Sequence, residues 1–312
     1  MAINFNVDPY YDDYDRNKNF HKIMFKPGTA VQARELTQIQ SILHNQVKEF
    51  GDSIYKEGSV VTGGEHTIDD SAFYINLQAT ENDISEIVGR TIEEVGSGRK
   101  GIVKLYIPKT DTTDAKIYVT FLNGEINKPF SDGTDILVHA IEIDEGTTEQ
   151  VHVVLYTLTS ITTDASGPAT LAHINSGAFY VRDRFVFCPS HTAVAYESST
   201  RVGSAIIGLT VKEEIISSTE DSTMLDPAYG SYNYAAPGAD RYVISLTLTT
   251  KPYTVATQAH EDFIELVQIR DGVILNDKRL PIYSNIGDTM ARRTHDESGN
   301  YAINPFIPKI HD

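Results

Sequence analysis

The residues able to do chemistry are scattered along the chain. Ten histidines could ligate zinc or move protons, yet no H-E-x-x-H or H-x-H run brings two of them to metal-ligand spacing. A metal centre would have to be assembled from remote positions. The single cysteine, Cys188, is followed by Pro189 and lacks any flanking signature of a nucleophile. It reads as a core residue at a strand end, and one thiol excludes an intrachain disulfide framework and every multi-cysteine metal site. Gly63-Gly64 and the cluster Gly96 to Gly101 match neither G-x-x-x-x-G-K-[ST] nor G-x-G-x-x-G, and no βαβ alternation is present to receive a nucleotide. Carboxylates gather at Asp8 to Asp15, Glu81 to Asp83 and Glu142 to Glu145 without the pattern of a calcium loop, so solvated charge is the plain reading. Paired acids for glycoside hydrolysis depend on a separation in space that one sequence does not fix. The absence of Trp weakens a sugar-stacking platform. The expectation is therefore no enzyme: no catalytic residues, no cofactor and no metal.

Length and charge narrow the partners. A chain of 312 residues is long enough for about two domains, each with its own core. Lysine and arginine number 26 against 43 carboxylates, a net charge of −17. That balance opposes docking on phosphate backbones or anionic lipid, so neither nucleic acid nor membrane is expected as a partner. No apolar run approaches a transmembrane span, and the acidic start does not resemble a signal peptide. Synthesis and folding in a reducing cytoplasm are expected.

The elements that would position any site come next. Residues 1–20 combine Phe5, Tyr10, Tyr11, Tyr14 and Phe20 with Asp8, Asp12, Asp13 and Asp15 and show no periodicity; they read as an extended arm that docks either on a neighbour or on its own domain. Residues 30–50 predict a helix, because Leu36, Ile39, Leu43 and Phe50 follow a 3–4–7 spacing that Ile42 and Val47 widen. Thr29 is placed to cap it and Gly51 to stop it. Leu36, Leu43 and Phe50 share one heptad position and Ile39 and Gln46 the other, so a polar layer interrupts an apolar seam. Such a seam suits a bundle of identical chains, although an ordinary amphipathic helix lying on a β-domain shows the same stripe.

From residue 59 the texture is β: 71–77, 87–88, 91–95, 102–107, 116–121 and 135–143, then 178–187, 192–196, 203–216 and 241–249. Short strands separated by glycine turns predict a mainly β fold of two small barrel- or sandwich-like domains, with one N-terminal helix and extended terminal arms. The boundaries fall at 1–84 (arm, helix and first scaffold strands), 85–165 (an inserted small β domain), 166–282 (the main β scaffold) and 283–312 (a C-terminal arm). Ser217 to Asp240 is a long loop without apolar periodicity, a length usually reserved for function or docking.

Three blocks carry a resemblance. They are Phe20 to Gly64, with Phe25-Lys26-Pro27-Gly28 and Gln32-Ala33-Arg34-Glu35-Leu36-Thr37-Gln38; Asp221 to Arg241, reading DSTMLDPAYGSYNYAAPGADR; and Ala291 to Phe306, reading ARRTHDESGNYAINPF. Together they resemble an uncharacterised structural-protein family found near the N-terminus of tail-fibre and baseplate proteins of large contractile-tailed bacteriophages, including marine cyanophages. The resemblance implies a virion structural protein, an adaptor at the tail or baseplate that oligomerises as a homotrimer and holds other tail proteins, a fibre or a spike. Interface residues carried over in this way are Leu36, Ile39, Leu43, Val47 and Phe50 on the helix, Leu225, Tyr229, Tyr232, Tyr234 and Asp240 in the loop, and Arg292, Arg293, Asp296 and Glu297 near the end. The loop tyrosines either dock on a neighbour or cover their own domain. A receptor- or carbohydrate-binding module presenting the loops of residues 85–165 is the alternative function.

Overall fold

The first helix shows how the local sequence is satisfied. In the computed structural model, which describes residues 3–78, 84–111, 113–122, 130–143, 150–253, 262–277 and 284–299, helix α1 spans Ala33–Ile54. Its start lies three residues beyond the predicted one. Gln32 rather than Thr29 precedes the helix, and its backbone N–H donates to Glu35 Oε2 at 2.9 Å, tying down the exposed first turn. Gly51 does not stop α1 but lies inside it, buried.

Strands follow in chain order: β1 (Ser59–Gly63), β2 (His66–Asp69), β3 (Phe73–Asn76), β4 (Thr91–Glu94), β5 (Lys100–Ile107), β6 (Lys116–Phe121), β7 (Asp135–Ile143), β8 (Gln150–Thr159), β9 (Ser166–Ile174), β10 (Gly177–Val181), β11 (Arg184–Cys188), β12 (His191–Glu197), β13 (Ala205–Ile216), β14 (Arg241–Pro252), β15 (Phe263–Arg270) and β16 (Val273–Asp277). A second helix, α2, spans Ser284–Ser298. The fold is mainly β, as the short strands predict, and its three sheets are open rather than closed into a barrel.

Two compact units divide the chain. One comprises Gly63–Gly177 and Phe187–Arg279, the other Ala2–Thr62, Ala178–Val186 and Leu280–Asp312. This division differs from the boundaries at 84, 165 and 282. The cause is strand pairing: β6 pairs with β3, and β3 pairs with β9, so residues 85–165 share one sheet with the strands before and after them. That sheet runs β12-β9-β3-β6-β5-β4-β7-β8, with β2 also pairing β9. One of its faces buries Phe73, Ile75, Val103, Ile117, Val119 and Ile136 in the main core, while Ala72, Tyr118, Ala169 and Leu171 pack on the other. Burial on both faces matches the unbroken run of large side chains Ile117, Tyr118 and Val119 within the predicted strand 116–121. The second sheet of this unit, β14-β13-β15-β16, carries the predicted strand 241–249, in which Val243, Ser245, Thr247 and Thr249 alternate with Tyr242, Ile244, Leu246 and Leu248.

Three further expectations are corrected. Residues 178–187 are not one strand but the hairpin β10–β11, turned at Arg182 and Asp183, both at positive φ, as a two-residue hairpin loop requires. Residues 85–87 form a single helical turn where Ile87-Val88 read as a strand. The C-terminal stretch, expected as an extended arm, is helical over α2. Its Met290, Ala291, Arg292 and Arg293 favour helix by intrinsic propensity without marking an apolar stripe. The Glu81 to Asp83 cluster, the Asn123-Gly124 turn and the last residues of the third block lie outside the described residues.

Candidate functional site

Helix α1 belongs to the smaller unit and divides into two unlike faces. On the inner face Ile42 is buried, and the hairpin β10–β11 docks through side chains of mixed character. The Tyr180 ring lies against Gly51, its hydroxyl donating to Asp52 Oδ1 at 2.8 Å. Lys48 Nζ bridges Asp183 Oδ2 at 2.5 Å and Asp52 Oδ2 at 3.5 Å, and His44 Nε2 lies 3.1 Å from the Asp183 carbonyl oxygen. Tyr55, Tyr180 and Phe185 complete an aromatic cluster with ring centroids 5.4 to 5.9 Å apart. Burial and then the Asp52 carboxylate push the Tyr180 phenol above its ordinary range. Burial opposes the charge of Lys48, but Asp183 and Asp52 hold its ammonium above the usual value. Both groups therefore stay protonated near neutrality, which suits an anchor and not a proton relay.

The N-terminal segment runs along the same helix. Asp13 accepts from Arg34 and Gln38, Asp12 accepts from Ser41, and Arg16 pairs with Glu49 at 2.9 Å. The arm thus folds onto its own unit through its carboxylates, while Phe20, Met24 and Phe25 remain exposed.

The outer face of α1 carries the predicted stripe. Leu36, Leu43 and Phe50 are 54, 58 and 63% exposed, Val47 is also exposed, and Ile39 is half-buried. They form one band along the helix in which only the Gln46 position is polar. α2 touches α1 but leaves this band open. Arg292, Arg293, Asp296 and Glu297 are exposed along α2.

In the larger unit, Leu225 is half-buried in a bridge to Pro237, whereas Tyr229, Tyr232 and Tyr234 point to solvent. The rings of Tyr229 and Tyr234 meet edge to face at 5.2 Å. Asp240 is exposed at the base of the loop. The tyrosines therefore do not cover their own domain.

The same unit holds a cavity of about 570 Å³ lined by Asp69, Val103, Lys104, Leu171, His173 and Thr192 among others. His173 Nδ1 and Thr192 Oγ1 are 2.9 Å apart. Burial raises the Asp69 carboxyl, but hydrogen bonds from Ser71 and Thr120 and the charge of Lys104 more than offset this and hold it below its ordinary value. Among the described residues that line it there is no Phe, Tyr or Trp. Cys188 is buried with its thiol pushed up to about 11 by desolvation, which favours the protonated thiol near neutrality. Among the described residues no group of three or more His, Cys, Asp or Glu is arranged to hold a metal ion, and no helix is long and apolar enough to cross a membrane.

The anchor formed by Gly51, Tyr180, Asp52, Lys48 and Asp183 was not foreseen from the sequence. The one signal for it was a glycine inside a strongly periodic helix, which marks a close approach as often as an end.

What these surfaces define is a β-rich module with an open helix face and a projecting tyrosine loop. The chain belongs to a family described as a domain of unknown function (DUF4815), whose model matches residues 8–93 and 160–308. The unmatched stretch between them contains β5 to β8. No curated protein and no solved structure matches the chain.

Proposed function

We propose that the chain is a structural protein of a bacteriophage virion, a connector in the tail that self-associates as a homotrimer and attaches a fibre or spike to the baseplate. It is made in the host cytoplasm and ends in the particle, binds other tail proteins rather than nucleic acid or membrane, and performs no catalysis. The observation that supports this reading is the outer face of α1. A band of Leu36, Leu43, Val47 and Phe50 left open to water on a regular helix, with Ile39 half-buried between them, is costly in a monomer and suits an interface. Its heptad spacing and its single polar layer at Gln46 suit three copies of the same helix meeting along an axis. Net charge of −17 keeps such a chain soluble until assembly.

Light scattering and native mass spectrometry on the full chain should report a trimer, and the variant Leu43→Glu/Phe50→Glu a folded monomer with an unchanged circular dichroism spectrum. A wild-type monomer at micromolar concentration would sink the trimer. Crosslinking on purified virions should then join α1 and α2 residues to tail or baseplate proteins; crosslinks confined to capsid proteins would overturn the placement.

A receptor- or carbohydrate-binding module is the second reading, favoured by the cavity beside Lys104 and His173. It ranks behind because, among the described residues, that cavity offers no Phe, Tyr or Trp face for a sugar ring. Glycan-array binding by the full chain that is lost on Lys104→Ala and His173→Ala would promote it.

A further inference from the structure

The loop Ser217 to Asp240 is carried on a stalk. β13 and β14 stay in register from Ala205↔Pro252 to Ile216↔Arg241, whereas β15 accompanies β13 only as far as Thr210. Beyond Val211, among the described residues, the hairpin continues as a two-stranded ribbon for roughly 15 Å, and the loop is its tip.

The tip is internally ordered. Asp226 N–H donates to Ala236 O and Ala235 N–H to Asp226 O, both at 2.9 Å, and Gly238 N–H donates to Met224 O at 3.1 Å. Asp226 Oδ1 accepts from Ala228 N–H at 2.8 Å, and Asp221 Oδ1 accepts from Thr223 N–H at 2.9 Å. On this frame the stretch Tyr229-Gly230-Ser231-Tyr232-Asn233-Tyr234 has the composition of a recognition surface: rigid rings with small polar spacers, little of whose freedom is lost on binding.

Charge selects the partner. From 217 to 240 the chain holds Glu220, Asp221, Asp226 and Asp240 and no Lys, Arg or His. Elsewhere the protein caps its own ring faces with its own cations: Lys251 lies 4.2 Å from the Phe263 centroid, Arg201 4.6 Å from Phe73, and Lys116 5.0 Å from Tyr74. Among the described residues no cation covers Tyr229, Tyr232 or Tyr234. We propose that this tip is a docking site for a basic protein surface, whose arginine or lysine side chains stack on the tyrosine faces while the surrounding carboxylates neutralise them. A neutral glycan could donate hydroxyl hydrogen bonds to the carboxylates but would leave their charge unmatched, whereas a basic surface satisfies both. The inference rests on the loop alone and not on trimerisation through α1, so a chain found to be monomeric leaves it standing.

Panning the immobilised full chain against a random dodecapeptide library should enrich arginine- and lysine-rich peptides. Anisotropy with a labelled enriched peptide should show about tenfold weaker binding for Tyr229→Ser/Tyr232→Ser/Tyr234→Ser, a smaller loss for Glu220→Gln, and near-retention for the corresponding Tyr→Phe triple variant, which keeps the ring faces. These side chains are exposed, so unchanged melting of each variant checks the fold. Enrichment of peptides with no excess of basic residues, binding indifferent to the Ser variant, or loss in the Phe variant would each overturn the proposal. So would glycan-array binding that disappears in the Ser variant while no peptide is enriched.

Discussion

The ring of Tyr180 occupies the space that a side chain at Gly51 would need. A β-carbon there would stand 2.7 Å from Tyr180 Cζ and 2.8 Å from its hydroxyl, well inside contact distance. Helix propensity alone says that Gly51→Ala stabilises α1 by about 1 kcal/mol. Packing says the opposite, because overfilling a closed contact costs roughly 1–3 kcal/mol. Gly51→Ala is therefore expected to lower the melting temperature, and its cost should shrink in a Tyr180→Leu background, where the ring is gone. A higher melting temperature for the single variant would show that the hairpin does not pack on α1 in this way.

Gln46 interrupts the open band of α1 at the heptad position shared with Ile39, and it is itself exposed. In a bundle of identical helices a buried polar layer costs stability and fixes register and copy number. Gln46→Leu should raise the thermal stability of the oligomer and broaden its size distribution, read by analytical ultracentrifugation. If α1 faces water instead, the same change leaves the sedimentation profile untouched and lowers solubility.

How much of this was visible beforehand depends on whether the signal is local. The stripe Leu36 to Phe50 needs only the helical period, so it was legible, as was the alternation of 241–249. The tyrosine loop was legible from its lack of any period and its Gly and Pro. Gly51 was not, because a stop glycine and a contact glycine look alike until the partner ring is placed. The β10–β11 turn was hidden because Arg182-Asp183 lacks the Asn-Gly or Asp-Gly signature of such turns. β9 was hidden because Ser166, Gly167 and Pro168 look like a linker, yet all three pair with β3. Sheet order, which dissolves the boundary at 165, is a long-range property that periodicity does not carry.

Glu94 and Arg99 form a buried ion pair across the β4–β5 turn. The Glu94 side chain is 1% exposed, and its Oε2 lies 2.8 Å from Arg99 Nη2. Oε1 accepts from Ser131 N–H at 2.6 Å. Burial raises this carboxyl, but hydrogen bonds from Ser97 and Ser131 and the Arg99 charge more than offset it and hold it below its ordinary value. Glu94→Gln removes this carboxylate from beside the buried Arg99 guanidinium and should cost roughly 3–5 kcal/mol by urea denaturation. Replacing both partners, Glu94→Leu with Arg99→Met, should cost less than Glu94→Gln alone. Equal costs would mean the pair is solvated in the working protein.

His44 gives α1 a dependence on pH. Burial, then the charge of Arg184, lowers its pKa from 6.5, while the Asp183 carbonyl and carboxylate work against the shift and Lys48 adds to it. The depressed value fixes the sign. Above pH 6.5 both folded and unfolded chains hold a neutral imidazole and the full stability is present; as pH falls further the unfolded chain binds the proton first, so stability declines until the folded-state value is passed. Glu57 opposes this trend. Burial raises its carboxyl above 4.5, so acidification near and above that value favours the folded state. Comparing wild type with His44→Gln cancels Glu57, because the amide can still donate to the Asp183 carbonyl but does not titrate. Between about pH 7 and 5.5 the wild-type melting temperature should fall relative to the variant by on the order of 1 °C, a small effect because His44 is only half-buried and solvent screens its charge. Parallel melting curves across that window would remove His44 from the contact between α1 and the β10–β11 turn.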